Sequence, residues 1–231
     1  MVLSGTFRRF STWLALAPTL GSASLVVVLR SAARPLLRTV MHFTIFDTPV
    51  IRPLFRCLSI VMLKLSGWKL RGEFPKLDKY VLIGAPHTSN WDFPLTLAVC
   101  FAARAKIYWM GKHTLFAGPI GPVMRWLGGI PVKRHQNNSL VQQMVEVYRR
   151  SDRLVVAIPP EGTRKAVSEW KTGFYHIACG AEVPVALAYL DYSRKEAGFG
   201  PIFTPSGDID ADMPRIRAFY RDKVGKRPNQ G

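Results

Sequence analysis

The sequence predicts an α/β domain, a layered sheet flanked by helices. Short apolar runs recur after Gly72, and stretches with helical periodicity alternate with them. The length of 231 residues suits one domain with an appendage. An apolar fraction of 48% excludes a disordered chain. Three scattered cysteines, Cys57, Cys100 and Cys179, form no Cys-x-x-Cys pair, so neither a disulfide scaffold nor a cysteine zinc site is expected.

Residues 1–46 form an N-terminal segment of their own. No acid precedes Asp47, and five arginines stand among Ser, Ala and Leu. Phe10–Leu29 is an uncharged run of twenty residues, long enough to span a bilayer but diluted by Ser, Thr, Gly and Pro. A membrane anchor, a secretory signal, an organelle targeting peptide and a non-native extension ahead of Met41 all fit this composition. Residues 47–72 follow as an interfacial helical segment. Leu54–Leu65 is strongly apolar, is punctuated by Arg52, Arg56 and Lys64, and has Trp68 at its end. It is too short to span, and basic residues beside an apolar surface suit a helix lying in the headgroup region.

The domain proper is read over residues 73–231. Tyr80–Ala85 is a buried strand, and residues 90–103 are a helix. Lys106–Met110 is a strand, Pro119–Leu127 a helix closed by Gly128-Gly129, and Ile130–Val132 a short strand. Ser139 with Gln142 opens the next helix as a capping box. Leu140, Val141, Met144, Val145 and Tyr148 share one face of that helix. Leu154–Ile158 is a strand, Lys171–Cys179 a helix and Val183–Tyr189 a strand. Asp212 ahead of Pro214 opens a last helix running through Arg221.

Chemistry collects where strands end. After Pro86 comes His87-Thr88-Ser89-Asn90-Trp91-Asp92. Within one helix His87 and Asp92 would lie about 140° apart. They meet if His87 sits in the loop and Asp92 on the first turns of the helix. An Asp on one imidazole nitrogen fixes the tautomer and leaves the other nitrogen as a base. The amides of residues 88–90 are candidates for stabilising an oxyanion. After the strand Leu154–Ile158 comes Pro159-Pro160-Glu161-Gly162-Thr163-Arg164. Here Gly162 permits close backbone approach, and Thr163 and Arg164 can bond phosphate oxygens. A third element, Ile130–Val132, ends in the cations Lys133 and Arg134. Trp91 is read as a packing residue and Lys112 as solvated.

In order, His87-x4-Asp92, Ile130-Pro131-Val132-Lys133-Arg134, Pro160-Glu161-Gly162-Thr163-Arg164 and Val183-Pro184-Val185 resemble the four blocks of the glycerolipid acyltransferases. They are most similar to those of the lysophospholipid, or 1-acylglycerol-3-phosphate, acyltransferases. The resemblance covers residues 55–205. The second block departs from the family pattern, with Pro131, Val132 and Lys133 where Phe, Ile or Val, and often Asp are usual.

The resemblance implies a glycerol-3-phosphate acyltransferase-like fold with an N-terminal membrane-associated segment. It implies an enzyme of phospholipid biosynthesis at the cytoplasmic face of the cell membrane. His87 would be the general base, oriented by Asp92. Arg134, Glu161, Gly162, Thr163 and Arg164 would bind the phosphate-bearing acceptor. The donor would be acyl-CoA or acyl-carrier protein and the acceptor a lysolipid, with no metal or organic cofactor.

The net charge of +17 is attractive to polyanions. An anionic membrane surface is the expected partner. Nucleic acid is not, because the cations are dispersed and no nucleic-acid motif stands in the chain. A metal-dependent hydrolase built on His87 and Asp92 would need a third ligand, and none stands at helical spacing.

Overall fold

The structure, a computed structural model, describes residues 43–132 and 137–228. The run Phe10–Leu29, the basic pair Lys133-Arg134 and His135 lie outside the described residues, as do the side chains of residues 137–139. Seven strands make one sheet: β1 Lys69–Arg71, β2 Lys79–Ala85, β3 Tyr108–Lys112, β4 Gly129–Val132, β5 Leu154–Ile158, β6 Val185–Asp191 and β7 Glu196–Phe203, in the order β1-β7-β6-β2-β5-β3-β4. The six described α-helices are α1 Ile51–Leu65, α2 Asp92–Ala102, α3 Gly121–Trp126, α4 Asn137–Arg150, α5 Gly173–Ala181 and α6 Ile209–Tyr220.

The α/β layering expected from the alternation is present, and the sheet is mostly parallel. β2 lies at its centre, parallel to β5 on one side and to β6 on the other. Tyr80, Val81, Leu82 and Ile83 are all buried, as a strand covered on both faces requires. Successive side chains feed different cores. Val81 and Ile83 join Val156, Leu187, Met144, Phe174 and Ile216 under α4, α5 and α6. Tyr80 and Leu82 join Phe46, Phe101 and Ile107 on the side of α2. Two buried tyrosines tie helices to the central strand: Tyr148 donates to the Tyr80 carbonyl at 2.8 Å, and Tyr220 to that of Ile83 at 3.1 Å.

Several expected boundaries move. The strand read as Lys106–Met110 starts at Tyr108, because Lys106 turns aside to pair with Asp47 at 2.6 Å. Ser139 does not open α4, which begins at Asn137. The helix after Lys171 starts at Gly173, and the strand read from Val183 starts at Val185. α6 is capped by Asp208, which accepts from the amides of Asp210 and Ala211. Asp212 is instead buried inside α6, where Oδ2 accepts from Tyr175 Oη and from the amide and hydroxyl of Ser206.

α1 matches the expected helix and turns an apolar stripe outward. Leu54, Leu58, Val61 and Leu65, at i, i+4, i+7 and i+11, are all exposed, while only Ser59 and Leu63 are buried. Leu63 packs with Val99, Leu95 and Trp68, and Phe55 meets Phe101 at 5.5 Å. The start of α1 is thus near the end of α2, and its end near the start of α2. Among the described residues no helix is long and apolar enough to cross a membrane.

Candidate active site

β2 and β5 run side by side, with Ile83 opposite Ile158. The loops leaving their carboxyl ends, which begin at Pro86 and Pro159, are therefore neighbours, and in open parallel sheets that edge is where ligands bind. Pro86 follows Ala85 through a cis bond and has no N–H with which to continue the strand ladder. His87 occupies the loop and Asp92 the first turn of α2, the arrangement that lets them meet.

His87 Nδ1 lies 3.0 Å from Asp92 Oδ2. The same oxygen accepts the amides of Thr88 and Ser89, each at 2.9 Å. Asp92 is 4% exposed. Burial alone pushes its carboxyl up. The bonds from His87, Ser89 and Tyr192 outweigh burial and hold it below the usual carboxylate range. An ionised carboxylate cannot donate, so Nδ1 carries the proton and Nε2 the lone pair. Nε2 makes no hydrogen bond among the described residues, and the imidazole is half-buried. The amides of Thr88 and Ser89, candidates for an oxyanion site, are spent on Asp92.

Glu161 comes to the same place from β5. Its Oε1 accepts the His87 amide at 3.0 Å, and it is 5% exposed. Its Oε2 is buried without a hydrogen-bond partner. Burial pushes its pKa up, only partly offset by backbone N–H groups, its own and that of His87. Gly162 adopts φ +64, and a Cβ there would stand 2.8 Å from Lys171 Cδ. Thr163 is half-buried and its Oγ1 accepts the Lys165 amide. Arg164 is exposed and forms no ion pair among the described residues. His87, Asp92 and Glu161 are thus brought into contact, Gly162–Arg164 continue on the adjoining loop, and Arg134 lies outside the described residues.

Sequence reasoning missed two contributors. Tyr192, in the turn after β6, donates to Asp92 Oδ1 at 2.8 Å. The segment after α6 also folds back on the His87 loop. The Arg227 amide donates to Thr88 Oγ1 at 3.2 Å, and a Cβ on Gly225 would stand 2.6 Å from that oxygen. Trp91 is no packing residue: it is 64% exposed, with Lys226 Nζ over its ring at 4.7 Å. Neither Tyr192 nor the terminal segment carries a motif, and no local signal could have found them. His113 and His176 are exposed, as is Lys112.

A buried, ionised carboxylate that fixes the tautomer of a half-buried imidazole, at the carboxyl edge of a parallel sheet, is equipment for taking a proton from a substrate. The comparisons name the class. A family model described as Acyltransferase matches residues 69–189, more than half of the chain. The chain belongs to the acyltransferase family, as its sequence blocks imply. Among solved structures it is similar to PlsC, the 1-acyl-sn-glycerophosphate (LPA) acyltransferase of Thermotoga maritima, with a TM-score of 0.50, 14% identity and 85% of each chain covered. That likeness is one of fold. No curated protein matches the chain.

Proposed function

We propose that this acyltransferase moves an acyl chain from acyl-CoA or acyl-carrier protein to the free hydroxyl of a lysophospholipid, with 1-acylglycerol-3-phosphate as the acceptor. The observation that carries the reading is the 3.0 Å contact between His87 Nδ1 and Asp92 Oδ2, which leaves Nε2 without a partner among the described residues. Nε2 takes the proton of the acceptor hydroxyl as its oxygen attacks the thioester carbonyl. The tetrahedral intermediate collapses, the C–S bond breaks, and the imidazolium returns the proton to the leaving thiolate. Asp92 steadies the positive charge that His87 carries between the two transfers.

Glu161 sets the loop that carries His87. Gly162, Thr163 and Arg164 form the rim where the acceptor phosphate binds, and Arg134 is assigned to the same task from its place in the second sequence block. Arg164 suits a phosphate because it is exposed and unpaired among the described residues.

The reading includes an anionic membrane surface as partner, at the cytoplasmic face of the cell membrane. Support comes from α1, whose outward stripe of Leu54, Leu58, Val61 and Leu65 is flanked by Arg52, Arg56 and Lys64. An acceptor that resides in a bilayer has to be met there.

The test is the purified protein given several lysolipids and labelled acyl-CoA, with mass analysis of the products. Formation of phosphatidate from 1-acylglycerol-3-phosphate supports the full reading. Acylation of a different lysolipid alone keeps the reaction and changes the acceptor. No acylation of any of them removes the proposal.

A further inference from the structure

Asp92 is buried, and both of its oxygens need donors. Oδ2 has three, all from its own neighbourhood: His87 Nδ1 and the amides of Thr88 and Ser89. Oδ1 has one, the Tyr192 hydroxyl, which arrives from a hundred residues further along the chain at 2.8 Å. We propose that Tyr192 is a positioning residue for the His87–Asp92 pair, holding the Asp92 carboxylate by Oδ1 so that Oδ2 stays on the imidazole. This rests on the reading of His87 as general base.

The surroundings of Tyr192 are built to hold it still. Asp191, fully buried at the end of β6, ties the turn: Oδ1 accepts the amide and hydroxyl of Ser193, and Oδ2 accepts from Arg194 Nη1. Arg194 is anchored in turn on Asp222 at 3.0 Å. The Tyr192 amide donates to the Val224 carbonyl at 2.9 Å. The indole of Trp68 meets the phenol ring edge-on at 5.0 Å. With backbone, ring and neighbouring turn all fixed, the hydroxyl has one place to be. The family match ends at Ala188-Tyr189, so Tyr192 lies beyond it.

The carboxylate sits at the start of a helix and can rotate about its own side-chain bonds. Without the fourth donor, Oδ1 is left buried and bare. The charge that Tyr192 had shared then falls on Oδ2, and the pair keeps its proton to higher pH. The titratable groups that act on Asp92 are His87 and Tyr192, with Glu161 beyond His87.

Tyr192→Phe keeps the ring and its contact with Trp68 and deletes only the hydroxyl. In the full chain, assayed with 1-acylglycerol-3-phosphate and palmitoyl-CoA in mixed micelles, kcat should fall about ten- to a hundredfold, the scale of a misplaced catalytic group. KM for both substrates should stay within about twofold, and the acid limb of the pH–rate profile should move to higher pH, because positioning acts on the base and not on binding. Circular dichroism and thermal melting establish that the variant is folded. Wild-type kcat with an unmoved acid limb in the folded variant overturns the assignment. So does a rise in KM at unchanged kcat, which would put the hydroxyl on substrate. His87→Ala in the same assay separates the two readings. If it is inactive while Tyr192→Phe behaves as wild type, the base stands and the positioning role falls. If His87→Ala turns over normally, the base itself is wrong.

Discussion

Glu161 Oε1 accepts the backbone N–H of His87 at 3.0 Å, across 74 residues of chain. The contact joins the loops that follow two adjacent parallel strands, and it places a carboxylate behind the imidazole instead of in front of it. Asp92 and Glu161 therefore both act on His87, one through the ring and one through the main chain, and their environments push their titrations in opposite directions.

His87→Ala should remove acyl transfer and leave the fold intact. Loss of a general base costs about 10²–10⁴ in rate. Initial rates of product formation, paired with a melting curve, decide this. Full turnover by the folded variant would remove His87 from the mechanism.

Glu161 makes a pH-dependent stability difference. Its folded pKa is raised above the ordinary value, so its contribution is fully present below the unfolded pKa and is lost as pH rises through the folded pKa. Glu161→Gln keeps an oxygen for the His87 amide and cannot ionise. The melting temperature of the Gln variant relative to wild type should rise from pH 4 upward and level off above the folded pKa. Glu161→Ala leaves the His87 amide without its acceptor and should cost about 1–3 kcal/mol. Equal melting curves for wild type and Gln variant across that range would contradict the burial of this carboxyl.

Arg164→Ala should raise the apparent KM for the lysolipid far more than that for the thioester. A charge-assisted hydrogen bond is worth about 1.5–3 kcal/mol, or roughly a ten- to hundredfold change. Steady-state kinetics with each substrate varied in turn give the answer, and a selective loss of donor binding would assign Arg164 to the other substrate.

Replacing Arg52, Arg56 and Lys64 together by Gln should weaken binding to anionic vesicles and flatten its dependence on salt. Each cation near an anionic leaflet contributes about 1 kcal/mol. Turnover of a short-chain, water-soluble acceptor should persist, since none of the three touches the His87 loop. Sedimentation with phosphatidylglycerol vesicles at two ionic strengths measures the effect. Unchanged binding would mean that α1 is not the contact.

Much of this arrangement could be read from residue order alone. β2 and β5 are unbroken apolar runs because both of their faces are covered, and such runs stand out. The His87–Asp92 contact followed from a proline-ended strand and a cappable turn. β7 was hidden because Gly198, Gly200 and Pro201 interrupt its apolar pattern, and it is held by the backbone ladder with β6. β1 has three exposed residues and becomes a strand only by pairing with β7. Tyr192 and the segment around Gly225 reach the site through tertiary packing, which leaves no local periodicity. Asp212 resembled a helix cap because Pro214 follows it, yet its buried hydrogen bonds to Tyr175 and Ser206 make it an interior residue.

In plain buffer, a molecule that carries Leu54, Leu58, Val61 and Leu65 on its outside is adhesive toward its own kind. Two copies that bring these stripes together remove apolar surface from water, and only the mutual repulsion of a strongly cationic chain keeps them apart. Added salt screens that repulsion while leaving the stripe as sticky as before. The protein is therefore expected to clump at high ionic strength, against the habit of many basic proteins, and to disperse when detergent coats the stripe. Colloidal behaviour on the bench and attraction to a lipid leaflet would then be two expressions of one helix face.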